Sequence, residues 1–245
     1  MRREQILLGA VVAGFVIDAV AAEDTQAVGD LLVDRTEVTI EQFSVYVQAT
    51  NTVTKAEEAG GGLVYEGGWQ QKPGWNWRKP FGTEADSALP AVHINFDEAQ
   101  AFCVWAGKRL PTDSEWHAAA YSEQRSNPSV PFTRGQSYPY PTGESPNGAN
   151  CLDECGQTPA IDFSDRLSRG TGPAPVASTK AGVNGLYDMG ANVWEWTQLS
   201  DSDQQGTRGG SWWYGTQQMS RDHRASKPRD MAAVYIGFRC VKDKL

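Results

Sequence analysis

Between Arg208 and Ser226 the chain reads RGGSWWYGTQQMSRDHRAS, a stretch that brings an imidazole, a phenol, two indoles, a thioether and three guanidinium groups into one short segment. An imidazole can act as a general base near neutral pH, so His223, with Arg224 next to it and Tyr214 earlier in the same segment, is the candidate for handling protons on a bound substrate. A solvated or hydrogen-bonded histidine between two cations is the competing explanation. Trp212, Trp213 and Arg221 are the candidate substrate-binding residues. They follow a Gly-Gly turn, and an alternating strand there would send Trp212 and Tyr214 to one face and Trp213 to the other. Arg221, Arg224, Lys227 and Arg229 add local positive charge, which together with aromatic walls suits an anionic or aromatic ligand, although a solvated loop has the same composition. The remaining histidines, His93 and His117, fall in regions of helical packing.

Four cysteines follow the N-terminal segment: Cys103, Cys151, Cys155 and Cys240. An even number in an exported chain favours disulfides, and four cysteines allow three pairings. The short CLDEC spacing suits a local Cys151–Cys155 bridge, which would leave Cys103 with Cys240. A zinc site is the rival use of these thiols, but no second CxxC-type or histidine pair accompanies them.

The elements that must hold these residues are partly written in the sequence. An alternating, β-branched piece around Val33–Val38 predicts a strand, and Thr39 with Gln42 forms a capping-box pattern for a helix carrying Phe43, Tyr46 and Val47. The Gly-, Pro- and Trp-rich run from Gly60 to Ser87 has neither helical nor strand period and predicts a long loop with its own aromatic cluster. A helix is expected to start at Asn95 or Asp97, bury Ala99, Phe102, Cys103 and Ala106, and end at Gly107. A second begins after Thr112, with Glu115 completing its capping box. Residues 122–180 read as long loops that need staples, either disulfides or calcium. GLYDMGANVWEWT, TRGGSWW and VYIGFRCV read as short strands separated by turns.

The bulk numbers restrict the possible partners. The 245 residues suffice for one domain with a full core, and a net charge of -8 without a basic stripe argues against a nucleic-acid partner. The first 22 residues, with a basic start, an apolar run from Ile6 to Ile17 and small residues at Ala19, Ala21 and Ala22, read as a signal peptide cleaved near Ala21 or Ala22. A retained anchor is the alternative, but Asp18 interrupts a run that falls short of the roughly 20 residues a span needs. Residues 23–245 then form a single periplasmic or secreted domain, with no membrane contact after cleavage.

The ordered motifs RTEVTIEQFSVYV, KRLPTDSEW, LYDMGANVWEW, RGGSW and GFRC resemble the formylglycine-generating-enzyme family, the sulfatase-modifying-factor domain, over about Val33 to Val241. The resemblance implies an α+β fold of the irregular C-type-lectin-like kind. It also implies a structural Cys103–Cys240 disulfide, core positions for Trp105, Trp116, Trp194 and Trp196, and buried ion-pair or backbone-bonding roles for Arg109 and Arg239. Structural calcium would take Asn150 at one site and Asn192 with Glu195 at another. Family enzymes oxidise a sulfatase cysteine with oxygen and a copper ion held by two thiolates just after the Gly-Gly-Ser. Here Tyr214 and Met219 stand near those places, and no cysteine lies between Cys155 and Cys240, so copper is not expected. The expected function is therefore a tailoring enzyme acting on a peptide or aromatic small molecule, similar to the branch that matures the pyoverdine chromophore. A non-catalytic ligand- or protein-binding module is the alternative, and sulfatase-type cysteine oxidation ranks third.

Overall fold

The structure is a computed structural model and describes residues 24–162, 165–167, 171–200 and 203–244. The segment read as a signal peptide lies outside the described residues. Two short strands, β1 (Thr25–Val28) and β2 (Leu31–Asp34), open the fold as a hairpin. The strand expected at Val33–Val38 thus ends at Asp34. Beyond it, the amide of Val38 donates to Phe238 O and its carbonyl accepts from the amide of Ala91, single contacts rather than a ladder.

Helix α1 (Ile40–Thr50) starts where Thr39 and Gln42 cap each other reciprocally, and it buries Ile40, Phe43 and Tyr46. A further capping box, Thr54 with Glu57, starts the single turn α2 (Lys55–Glu58). The next segment departs from the expected loop. Gly61–Tyr65 (β3) and Trp69–Pro73 (β4) pair antiparallel around Gly67 and Gly68, whose positive φ angles of 67° and 153° supply the reversal. Its aromatic residues do not form a cluster of their own either. Trp75, Trp77 and Phe81 join the main core, with Trp77 5.2 Å from Phe43 and Phe81 6.3 Å from Trp212.

Helices α3 (Phe96–Trp105) and α4 (Asp113–Tyr121) follow with capping boxes at Asn95/Glu98 and Thr112/Glu115. Gly107 adopts φ 69° just past α3, and Trp105, expected in the core, is 38% exposed. Between Tyr121 and Val183 the described residues form turns, bends and isolated bridges. The last part supplies β5 (Trp194–Thr197), β6 (Gln204–Arg208), β7 (Ala225–Pro228), β8 (Ile236–Gly237) and β9 (Val241–Asp243). They assemble as a four-stranded sheet in the order β7-β6-β5-β8, with β9 completing β1-β2-β9.

Both expected disulfides are present. Cys103–Cys240 ties α3 to the approach of β9, and Cys151–Cys155 closes a small loop in the irregular region. The main core is aromatic and sits between the helices and the four-stranded sheet, with Phe43, Trp77, Phe102, Trp196 and Phe238 all at most 5% exposed. This is a mixed helix-and-sheet fold with modest regular structure for its length. Among the described residues no helix is long and apolar enough to cross a membrane.

Candidate functional site

The register of the four-stranded sheet sorts the candidate residues. Trp196 lies opposite Thr207, and Thr207 opposite Ala225, so these side chains share one face. Trp194 and Lys227, each two residues away along its own strand, share it too. His223 stands two residues before Ala225, and its ring lies 5.8 Å from that of Trp194. Tyr214 packs on the same indole at 5.6 Å, and Lys227 Nζ sits 5.1 Å above the ring. Trp194 is 2% exposed, and its Nε1 has no hydrogen-bond partner among the described residues.

Ring contacts extend outward from this group. Tyr214 meets Tyr235 at 5.9 Å, Tyr235 meets Trp69 at 6.3 Å, and Trp69 meets Tyr65 at 5.5 Å. The hairpin β3–β4 thus carries its two exposed rings, Tyr65 and Trp69, to the end of a continuous aromatic run that reaches His223. Burial, the charge on Lys227 and that on Arg208 hold the His223 imidazole below its usual pKa, so it is neutral at physiological pH. Burial likewise pushes the Lys227 ammonium down.

The opposite face supports this one. Glu195 lies opposite Arg208, whose guanidinium takes both oxygens of Asp113 at the start of α4 (2.6 and 2.7 Å) and donates to the carbonyl of His223 (2.7 Å). Burial alone would raise the Asp113 carboxyl, but Arg208 outweighs it and keeps it below the usual range. The backbone of His223 is therefore anchored by a helix start and a strand end together.

The predicted residues divide in consequence. Tyr214 and His223 come together around Trp194. Arg224 is exposed, and its charge acts on Asp113 and His117 of α4. Arg221 pairs loosely with its neighbour Asp222. Trp212 and Trp213 are interior, at 0% and 2% exposed, with rings 5.0 Å apart in a turn closed by the Tyr214 amide on Ser211 O. The alternating strand expected there is absent, and neither indole forms an open wall. Trp194 is in the core as expected, and Lys227, read only as local charge, is the residue that sequence reasoning undervalued. The spacing His223-x-Ala225-x-Lys227, together with Trp194-x-Trp196, was the available signal.

The calcium ligands implied by the resemblance can be tested by what their oxygens already accept. Asn150 Oδ1 takes the Thr158 hydroxyl, and Asn192 Oδ1 takes the Asn150 amide and the Ala174 amide. Glu195 accepts Arg239 on both oxygens (2.7 and 2.6 Å) and the Trp116 indole at 2.7 Å. Arg239 also donates to Asp34 O and Tyr187 O. Burial alone would push this guanidinium down, and Glu195 holds it up. Asn150 and Asn192 thus belong to one network rather than to separate sites, and these three side chains do not fit a calcium shell. Among the described residues no group of three or more His, Cys, Asp and Glu is arranged to hold a metal. Arg239 plays the buried ion-pair role expected of it, whereas Arg109 pairs nearer the surface with Glu115 and Asp243.

All four cysteines are in disulfides, so no thiol is free at the segment 208–226. Met219, in that segment, is buried against Cys155, Ala149 and Ala191. A separate open cleft of about 650 Å³ lies beside β1, but its Arg125 is already spent on Glu123.

Comparison with known proteins gives a consistent result. Residues 5–244 match the family model described as the sulfatase-modifying factor enzyme 1-like domain. The inactive C-alpha-formylglycine-generating enzyme 2 of Mus musculus is 31% identical over 240 residues, covering 85% of this chain and 74% of that protein. The formylglycine-generating enzyme of Thermomonospora curvata is 29% identical over 267 residues, covering 90% and 84%. Among solved structures, PvdO from Pseudomonas aeruginosa superposes with a TM-score of 0.58 at 17% identity, covering 87% of this chain and 80% of its own. CarF superposes with a TM-score of 0.54 at 20% identity, covering 87% and 86%.

Proposed function

The chain belongs to the sulfatase-modifying-factor family, and on that premise we propose that it is an exported, periplasmic or secreted tailoring protein that works without the family's copper–thiolate centre. Its ligand is a peptide or aromatic small molecule held on the face that Tyr214, His223 and Lys227 form over the buried Trp194 ring. One observation carries this reading: a buried indole whose Nε1 lacks a protein acceptor is flanked by Tyr214, a neutral imidazole and an ammonium. An aromatic ring packs against the part-exposed Tyr214 and His223 rings that the buried indole supports, and an anionic group meets Lys227. His223, anchored through its carbonyl by Arg208, is the group able to accept a proton at neutral pH. Copper has no thiolate pair in this segment, and Asn150, Asn192 and Glu195 supply no calcium chemistry to the reaction.

A non-catalytic binding module on the same scaffold is the second reading. The solvent exposure of Arg224 supports it, because an enclosed proton-handling trio would bury that guanidinium. The test separates the two. Native mass spectrometry of the protein purified from its own source identifies retained small molecules, and His223→Gln and Trp194→Phe are then compared on the retained species. Tailoring predicts that His223→Gln binds but does not convert it, while Trp194→Phe loses retention. Unchanged conversion by His223→Gln removes His223 from the mechanism, and unchanged retention by Trp194→Phe removes the proposed face.

A further inference from the structure

We propose that the rings joining Tyr214 to the exposed hairpin form a one-electron route, through which an electron-rich aromatic ligand on the Tyr214–His223 face is oxidised by a ferric-class acceptor docked at Tyr65 and Trp69. Only the inner end of this route rests on the proposed ligand face. Tyr214, Tyr235, Trp69 and Tyr65 follow one another with ring centroids 5.9, 6.3 and 5.5 Å apart. Both ends reach solvent: Tyr214 is half-buried, and Trp69 and Tyr65 are 48% and 46% exposed. Tyr235 between them is 0% exposed. A run with a buried middle is no groove for a ligand, but it suits charge transfer, because rings in close contact away from water exchange an electron with little solvent reorganisation. Every member is a phenol or an indole, the side chains that give up an electron most readily.

The rest of the fold supports the same route. Trp105, 38% exposed on α3, has no such continuation, since it meets Tyr46 and Phe102, which lead on to Phe43 and Phe238, and phenyl rings resist oxidation. The spacing between hairpin and interior is held by backbone bonds. The Leu63 amide donates to Ala232 O (2.9 Å) and the Val234 amide to Leu63 O (3.0 Å), so β3 is tied to the segment that carries Tyr235, and Tyr65 stands opposite Trp69 in register. Lys227 Nζ, 5.1 Å above the Trp194 ring, makes a positive charge on that indole costly, which keeps the electron vacancy on Tyr214, where the ligand packs. The acceptor gains one electron and passes from ferric to ferrous. Trp69 supplies it, Tyr235 and Tyr214 refill Trp69 in turn, and each phenol regains its proton as it is refilled. The ligand refills Tyr214, and the proton of its ring O–H or N–H goes to the neutral imidazole of His223. The ligand thus loses one electron and one proton.

The test uses the full chain with both native disulfides verified by peptide mapping. A thiol-reactive ruthenium polypyridyl photo-oxidant is attached at Gln70→Cys, beside Trp69 on β4, and flashed with a quencher. The expected result is a tyrosyl radical in the electron paramagnetic resonance spectrum and a spin-trap adduct on Tyr214, with Trp194 unlabelled. Tyr235→Phe in the same background should keep oxidation of Trp69 and lose the Tyr214 adduct. The same label at Ala101→Cys, one helical turn from Trp105, should leave Tyr214 unlabelled. Adducts confined to Trp69 and Tyr65, labelling of Trp194 in place of Tyr214, an undiminished Tyr214 adduct in Tyr235→Phe, or equal labelling of Tyr214 from position 101 would each overturn the proposal. The adduct map of the labelled protein with Tyr235 in place decides even if Tyr235→Phe fails to fold. Retention of an aromatic ligand without migration to Tyr214 would sink the route and leave the proposed function standing, whereas migration without any retained ligand would support the route and count against that function.

Discussion

Replacing Arg239 by Met tests whether Glu195 is an ion-pair partner or a metal ligand. The substitution strips both charge-assisted bonds from a carboxylate that is 0% exposed and leaves the carbonyls of Asp34 and Tyr187 without their donor. Breaking a buried pair in this way costs about 3–5 kcal/mol, against a total stability on the order of 5–15 kcal/mol. The Trp116 indole remains on Glu195, so the loss is not the whole value of the carboxylate. Removing the partner charge as well, in Arg239→Met/Glu195→Gln, should recover about 1–3 kcal/mol as a coupling term. Urea unfolding of the wild type, both single variants and the double variant, each in chelator and in excess calcium, measures the cycle. The account requires a favourable coupling that is the same with and without calcium. Additive single-variant losses, or a Glu195→Gln loss that appears only when calcium is present, would refute the ion-pair reasoning.

Other outcomes follow from the same structure. His93 is fully buried and its pKa is lowered to about 4 from 6.5, chiefly by burial. As pH falls through that window the unfolded chain takes up a proton that the folded one refuses, so about 3 kcal/mol of stability is lost between 6.5 and 4. His93→Asn, which tolerates the residue's φ of 57°, should flatten this acid limb in pH-dependent unfolding; an unchanged limb would count against it. The His223 imidazole should titrate below its usual pKa by NMR, and Lys227→Met should move it upward without reaching the usual value, because burial contributes most; a midpoint at or above the usual value would contradict the half-buried placement beside Lys227. Cys103 and Cys240 are 137 residues apart and Cys151 and Cys155 are 4 apart. Loop-closure entropy then predicts losses on the order of 5 and about 2 kcal/mol for their respective double serine variants, and the reverse order in denaturant unfolding would refute that assignment.

What was legible in the sequence was local. Thr39/Gln42 and Thr112/Glu115 announce two helices because a capping box is complete within four consecutive residues, and the start of the third, left open between Asn95 and Asp97, is settled by the Asn95/Glu98 box. The hairpin at 61–73 was missed because its Gly and Trp content suggested a loop, although Gly67-Gly68 between two strand-like runs is itself a hairpin signal. At the site, Tyr214 and His223 both pack on Trp194, which comes to them from a strand whose partners are fixed only by sheet register. Trp212 and Trp213 were misplaced because the backbone after Gly210 turns rather than extends. No local pattern encodes the mutual hydrogen bond of Asn150 and Asn192, or the contact of Cys155 with Met219, since each joins segments more than forty residues apart.

The central claim is that the segment 208–226 forms a ligand-binding face and not a copper–thiolate centre. Native mass spectrometry of the oxidised protein after incubation with copper, with both disulfides verified by peptide mapping, tests it most directly. The account predicts no retained copper while Cys103–Cys240 and Cys151–Cys155 are intact. One copper ion per chain with both bridges intact would contradict it.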